Sequence, residues 1–592
     1  MSYGLGYMRR GLTFIDVIIS VAILSLLFGG IYLIYFSILD VVTGLDFRSA
    51  ATSALNRQLE LIRNLPYDKV GVVGGVPSGV IPSEQTIAVG DLAFTIKALI
   101  RNIDDPFDGV LGGNPNDTAP ADYKLVQLEV SCSACARFVP LILTGTVAPK
   151  NLEGASNNGS LFINAIDANG FAVAQADVRV VNASVTPAID LTDATNLSGV
   201  LQLVGVPTST QNYQIVVSKP GYSSDQTYVI GEPSNPNPLT PPATVAAQTV
   251  TTITFTIDKV STLKVDTVSS LCVPVGNKNF SISGIKPIGI NPDVLKFSTS
   301  TTTNASGTKT FSNLELDTYS LALNEAAYDL LGTIPLTPFI VNPSSTYDFK
   351  FVLTPAEARS LLVTAKSLSG GQPISEAVAT LTKSGFSETL VTGRNYLKFT
   401  DWSLGGYSNQ DGGIEPDDPA GALKLELNAS STYTTSTVSW LESNTIDFGS
   451  TSSTFYLISW NPGSQSPLTG SDSLKFQIAT NNDQVSWNYI GPDGTSGSYY
   501  TQSSSTISSS NNSKRYMRYK VFMKTDDENT TPELYDLRID FGGACVPSGQ
   551  ALFGNLGLGD YTLEVAATGF QIVTSSVSIT GNWQQAGVEM TP

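Results

Sequence analysis

The sequence predicts a mainly β, multidomain chain carried by one long N-terminal α-helix. Three observations predict it. An apolar run from Leu12 to Leu39 opens the chain with a single acid, Asp16, inside it. Beyond Pro66, short alternations of Val, Ile, Leu, Thr and Tyr with polar residues replace any helical period, the pattern of half-buried strands. Similar strings of strand, turn and strand then return about every 100 residues, too long a period for a solenoid and suited to beads that each own a core.

Composition narrows the chemistry. A chain of 592 residues calls for several domains. Its net charge of −18, without clustered Lys and Arg, argues against nucleic acid, whose phosphates need such clusters. The count of zero histidines removes Ser-His-Asp and Cys-His catalysis and the commonest metal ligand together. Carboxylate chemistry and oxygen-ligated calcium remain. Charged residues make up only 14% of the chain, and an acidic, hydroxyl-rich surface suits an extracellular protein.

Arg9, Arg10 and Gly11 precede the apolar run. About 20 apolar helical residues, at 1.5 Å rise each, cross the ~30 Å hydrocarbon core of a bilayer, so the run is long enough to span it. The positive-inside bias places Arg9 and Arg10 in the cytoplasm and everything later outside. A secretory signal peptide would have a shorter apolar core followed by a small-residue cleavage site, whereas here the small residue comes first. Asp16 is costly in lipid, about 2.5–3.5 kcal/mol, so it calls for a partner group in another protein or in an assembled state.

These residues resemble the prepilin N-terminus of type IV pilins and type II secretion pseudopilins. The resemblance implies cleavage by a prepilin peptidase after Gly11 and N-methylation of Leu12 as the new first residue. It also implies docking of neighbouring pilin subunits through Asp16. Asp16 stands where the family usually has Glu, and Leu12 where Phe is more frequent. On this reading 1–11 is a leader, 12–65 a transmembrane and assembly helix, and 66–150 a pilin-like β head.

Past the membrane run, Ala51, Leu55, Leu59 and Ile62 recur at steps of three and four while Arg48, Arg57, Glu60 and Arg63 take other faces. One stripe therefore packs against a partner, and Pro66 ends the helix. Gly29 and Gly30, each costing about 1 kcal/mol in a helix, mark the place where it bends or unwinds. Strands are expected over Thr86 to Ile103, Asp122 to Cys132 and Phe138 to Pro149.

Between the first two strands lies an acidic stretch with Asp104, Asp105, Asp108, Asn114, Asn116, Asp117 and Asp122. Calcium takes six to eight oxygen ligands from such loops, and some pseudopilin heads carry a calcium loop. A solvated turn uses the same residue types. Cys132 and Cys135, spaced as CSAC in an exported setting, read as a local disulfide. Cys272 and Cys545 lie in the similar strings LCVPVG and ACVPSG and either pair across domains or stay as buried thiols.

The repeats begin with Ser160 to Val180, Ser261 to Ser283 and Ser360 to Thr382. Their second halves run from Thr195 to Tyr222, Thr303 to Tyr328 and Ser548 to Phe570, each with a tyrosine at the equivalent place, Tyr213, Tyr319 and Tyr561. They resemble carboxypeptidase regulatory-like domains, the transthyretin-like or Ig-like β-sandwiches of bacterial surface proteins. That implies three sandwiches without peptidase chemistry, at 151–259, 260–355 and 356–391 plus 544–592, with the tyrosines in their cores.

The third unit is interrupted by 392–543, a separate sandwich distantly similar to jelly-roll, discoidin-like or laminin-G-like modules. Insertion is tolerated at exposed loop tips, which places this module at the periphery. It holds Trp440, Trp460 and Trp487, with Trp402 at its edge. Tryptophans in sandwiches are more often core than contact residues. The candidates for ligand contact are Trp487, Tyr499 and Tyr500, then Asp493 and the turn from Asp411 to Asp418.

The expectation is a non-enzymatic minor pilin or pseudopilin-like surface protein. It would be membrane-anchored and extracellular, would join a type IV pilus-like filament, and would display its sandwiches to a surface glycan or a protein of a host or neighbouring cell. The alternative is an anchored stalk with a carbohydrate-binding or carbohydrate-processing module that never polymerises.

Overall fold

The computed structural model describes residues 14–135, 137–150, 157–403, 405–417, 420–435 and 437–592. They form one long helix followed almost entirely by β-strands. Two compact units result, one running to Asp258 and including Ile288–Val294, the other comprising Lys259–Pro287 and Leu295–Pro592.

In the first unit the helix Phe14–Arg63 is a single element of 50 residues, about 75 Å long at 1.5 Å per residue. It runs through Gly29 and Gly30 without the break their presence invites, the cost of about 1 kcal/mol per glycine being spread over a helix of 50 residues. Hydroxyls within the apolar run are returned to the backbone. Ser25 Oγ donates to Val21 O at 2.8 Å and Thr43 Oγ1 to Leu39 O at 2.8 Å, so neither needs water. From Phe14 to Leu45 the large apolar side chains are exposed, and burial begins at Ala51. The helix is long and apolar enough to cross a membrane.

The second half of that helix lies on a four-stranded antiparallel meander, Glu84–Val89, Leu92–Ile103, Tyr123–Ser131 and Leu141–Val147. Leu55, Leu59 and Ile62 share one core with Phe94, Ile96, Val126, Leu128 and Val130. The absence of a side chain at Gly145 lets the helix settle, since a Cβ there would stand 3.0 Å from Leu59 Cδ1. The single strand expected over Thr86 to Ile103 is a hairpin instead. Gly90, at φ 63°, turns the chain so that Val89 faces Leu92, a conformation glycine adopts without strain.

Two sheets follow in the same unit. Gly159–Ile166 runs parallel to Val250–Thr256 and antiparallel to Val200–Val206; the second sheet is built on Ser209–Ser218, Asp177–Asn182 and Ile189–Ala194. Tyr213 is buried between them. The head meander is tied to this sandwich by Arg101, whose Nε donates to Asp193 Oδ2 at 2.7 Å, and by Asn102 Nδ2, which donates to Val204 O at 2.8 Å.

The second unit repeats that plan twice. Ser261–Ser269 lies parallel to Thr346–Pro355, and Ser360–Ser367 lies parallel to Trp583–Met590, the first strand of each sandwich beside its last. Tyr319 and Tyr561 are buried, their hydroxyls donating to the carbonyls of Glu315 at 3.2 Å and Gly557 at 3.0 Å. Between Val391 and Gln550 the described residues form two larger sheets and a two-stranded one around a separate core. One contains Asn395–Phe399, Asp536–Gly542 and Thr454–Asn461. The other contains Tyr407–Gln410, Ser439–Ser443, Tyr516–Met523 and Leu474–Asn481.

A disulfide between Cys272 and Cys545, with Cα atoms 5.3 Å apart, settles their pairing across domains and anchors the chain where it leaves this insertion. Gln550 adds a buried pair of hydrogen bonds across the same seam, accepting from Thr333 N at 3.0 Å and donating to Thr333 O at 2.8 Å.

Candidate functional site

Gly11 and Leu12 lie outside the described residues. Asp16 is on the first turn of the helix and is exposed, among the exposed side chains of Phe14, Ile15, Val17, Ile18 and Ile19.

The acidic loop of the head turns some of its carboxylates inward. Asp104 Oδ2 accepts from Leu111 N at 3.0 Å, Asn116 Oδ1 from Gly112 N at 2.6 Å and Asp117 Oδ1 from Ala119 N at 2.7 Å. Asp105 Oδ1 accepts from Phe107 N at 3.2 Å, and Asp122 accepts from Asp105 N. These bonds shape the loop but leave three buried oxygens, Asp104 Oδ1, Asp117 Oδ2 and Asp122 Oδ1, without a hydrogen-bond partner.

Burial raises the Asp104 carboxyl above its ordinary value. The N–H of Leu111 opposes the rise, and the charges of Asp117, Asp122 and Asp108 add to it. Among the described residues no three His, Cys, Asp or Glu side chains are already gathered around one point. Of the seven residues singled out in the sequence, Asp104, Asp117 and Asp122 are those with a buried oxygen left without a partner, and they are the ones that would hold a hard cation. Asp108, Asn114 and Asn116 are exposed.

Next to this loop Lys124 is buried, its Nζ donating to Tyr67 O at 2.7 Å and Val70 O at 2.6 Å. Desolvation pushes its pKa down to about 8, against the smaller upward pull of Asp68. Cys132 and Cys135 form a disulfide with a Cα separation of 5.4 Å, beside Phe138 at the edge of the head core.

In the inserted module the tryptophans divide. Trp402 and Trp460 belong to the core; Trp402 is 0% exposed and its Nε1 donates to Tyr519 OH at 2.7 Å. Trp440 and Trp487 are half-buried. Of the two tyrosines expected to contact ligand, Tyr500 is corrected. It is 1% exposed and its hydroxyl accepts from Ser508 N at 2.9 Å, because its backbone pairs with Phe476 and the side chain follows that strand inward.

Tyr499, one residue earlier, points the other way and is half-buried, 5.2 Å from Phe522 between ring centroids. Asp493 serves the loop, its Oδ1 accepting from Ser498 Oγ, from Thr495 N at 2.8 Å and from Thr495 Oγ1 at 2.9 Å; the Ser498 bond first and the Thr495 bonds after it hold its pKa low. The expected turn from Asp411 onward instead contains a hairpin strand, Ile414–Asp417, paired with Ala420–Leu425. Ile414, Leu423 and Leu425 join the module's core and draw the segment into a sheet.

Around Tyr499 the structure gathers residues that sequence reasoning passed over. Lys475 Nζ lies 3.9 Å from the Tyr499 ring centroid. Lys520 Nζ lies 3.9 Å from that of Trp440 and 4.9 Å from that of Tyr489, and Arg518 Cζ lies 4.5 Å from that of Trp487. Glu442 pairs with Arg518 at 2.7 Å and with Lys520 at 3.7 Å. Burial, then the neighbouring Glu442 carboxylate, pushes the Tyr489 hydroxyl up. The string KRYMRYKVFM carried the signal, since its alternation sets Arg518, Lys520 and Phe522 on one face and Met517, Tyr519 and Val521 on the other.

No family model and no curated protein matches the chain. Among solved structures it is similar to the Bacillus anthracis TIE protein at 11% identity, covering 86% of this chain and 73% of that one, with a TM-score of 0.16. It is also similar to a minor pilin of Streptococcus agalactiae at 14% identity, over 33% of this chain and 98% of that one, with a TM-score of 0.17. A streptococcal ancillary pilin aligns at 10% identity over 73% of this chain and 98% of that one, with a TM-score of 0.14. At these scores no property of those proteins is carried over to this chain.

Proposed function

We propose that the chain is a minor pilin or pseudopilin-like surface protein. Prepilin peptidase cuts it after Gly11, Leu12 becomes the methylated N-terminus, and Asp16 receives the terminal ammonium of a neighbouring subunit as the helix enters a filament. The head's acidic loop takes up calcium through Asp104, Asp117 and Asp122. The sandwiches and the inserted module are displayed outside for adhesion, without catalysis of their own.

One observation carries this reading. A single continuous helix is exposed and apolar over its first half, holds a carboxylate on its first turn, and is seated over its second half on an antiparallel sheet. A plain anchor needs the apolar half and gains nothing from the acid, which costs it insertion energy. The size of the outer part favours occasional incorporation over a bulk subunit.

The test is Asp16→Ala in the full chain. Filament incorporation is expected to be lost while membrane insertion persists, read by comparing sheared filaments with membrane fractions. Unchanged incorporation removes the docking role. N-terminal sequencing of the membrane-recovered protein checks the cut, with a first residue other than Leu12 counting against it.

A further inference from the structure

The inserted module's outer sheet face carries a charge opposite in sign to the chain that bears it. Tyr516–Met523, Leu474–Asn481 and Ser439–Ser443 are neighbours, with Lys475 opposite Phe522, Gln477 opposite Lys520, Trp440 opposite Phe522 and Glu442 opposite Lys520. The alternate residues Met517, Tyr519, Val521, Phe476 and Leu441 fill the core, so the first set shares the outer side. The outward positions named hold three cations, Lys475, Arg518 and Lys520, and one carboxylate, Glu442. Glu442 is engaged by Arg518 and Lys520, while Lys475 has no carboxylate within ion-pair distance among the described residues. Half-buried rings stand beside every one of these cations.

We infer that this face binds a carboxylate-bearing polysaccharide, a uronic-acid-type glycan, with Lys475 as the reader of its carboxylate. The inference rests on the reading of the module as displayed outside the cell and names its ligand class. A pyranose offers an apolar C–H face to a free ring face, and its carboxylate matches the ammonium of Lys475; Gln477 on the same side is buried and its amide already donates to Ser496 O and Ser498 O at 2.9 Å. Charge complementarity selects the acidic class over neutral sugars.

The same complementarity argues against nucleic acid. Duplex DNA carries a charge about every 1.7 Å, and three cations, two of them shared with Glu442, do not offset that density on a chain of net charge −18. A glycan with one carboxylate per sugar is spaced more widely, and the single lysine not shared with Glu442, Lys475, matches one of its carboxylates.

The experiment uses the full chain in detergent micelles and follows tryptophan fluorescence or calorimetry against three probes. They are oligogalacturonate, neutral galacto-oligosaccharide of equal length, and a single-stranded oligodeoxynucleotide. Saturable binding of oligogalacturonate is expected, weakening with added salt, with at least tenfold weaker binding of the neutral oligomer. Lys475→Gln is expected to reduce oligogalacturonate affinity about tenfold and Lys475→Arg to retain it.

Trp440→Ala is expected to reduce it by a similar factor, with an unchanged cooperative unfolding transition in far-ultraviolet circular dichroism showing the module still folded. Equal binding of acidic and neutral oligomers, preference for the oligonucleotide, no binding of any probe, or an unaltered Lys475→Gln variant overturns the proposal. Protease accessibility of the module on intact cells separates the two levels. An exposed module that binds no acidic glycan defeats only this inference, whereas a module shielded by the membrane defeats the display reading on which it rests.

Discussion

The two halves of the N-terminal helix are built from one unbroken backbone and meet opposite surroundings. Among the described residues before Gly44 none is buried and apolar side chains point in every direction; after Ala51 the stripe Leu55, Leu59 and Ile62 is covered by the head sheet, while Leu61 on another face stays exposed. Backbone geometry does not distinguish them. What differs is the distribution of polar residues around the circumference, so the first half needs an apolar solvent or other helices and the second needs only its own head.

That contrast is broken or sharpened by substitution. The largest effect on the head is expected from Leu55→Ala or Ile62→Ala, each lowering head stability by about 2–5 kcal/mol in denaturant unfolding. Ile23→Ala or Leu27→Ala in the exposed half is expected to leave that transition in place. An equal loss from both halves would mean the first half is also packed on the protein.

The head gives the next effect through its acidic loop. Calcium at a hundredfold excess over its Kd is expected to stabilise the head by about 2.7 kcal/mol, read as a rise in its melting temperature that a chelator reverses. Asp104→Asn is expected to weaken that response. The pH dependence has a definite sign. Because the Asp104 carboxyl is raised in the folded head, the folded state takes up a proton before the unfolded chain does as pH falls. Without calcium this group therefore adds stability as pH drops from neutral through its raised value toward 3.8. With calcium present the same protonation competes with the metal, and the trend reverses.

The smallest effect belongs to the glycines. A Cβ at Gly29 or Gly30 meets nothing within 4 Å, so Gly29→Ala and Gly30→Ala are expected to stabilise the isolated helix by about 1 kcal/mol each. Circular dichroism of the helix peptide in micelles measures it. A larger gain would mean that the wild-type helix unwinds there.

Much of the fold was legible because its signals are local. The stripe Ala51, Leu55, Leu59 and Ile62, the alternation of Tyr123–Ser131 and the equivalent tyrosines of the three sandwiches all follow from the period of one element. The hairpin at Gly90 was missed because a long apolar string hid a two-residue turn. Tyr500 was misread because adjacent tyrosines in a strand look alike until the partner strand decides which one faces inward. The cationic face was overlooked for a related reason: the alternation within KRYMRYKVFM shows Arg518 and Lys520 on one face, but Lys475, Trp440 and the loop rings join them only through strand pairing.

By itself the chain's sequence determined that one apolar helix leads a train of β units, because hydrophobic period and length act over a few turns or a few strand residues. It also determined the net acidity and the absence of histidine, which no fold can alter. Only the tertiary structure decided that Cys272 meets Cys545, that three of seven loop residues bury an unpaired oxygen, and that Lys475, Lys520 and Trp440 share a surface. Each of those depends on which distant strands become neighbours, and that choice is made by the packing of whole sheets.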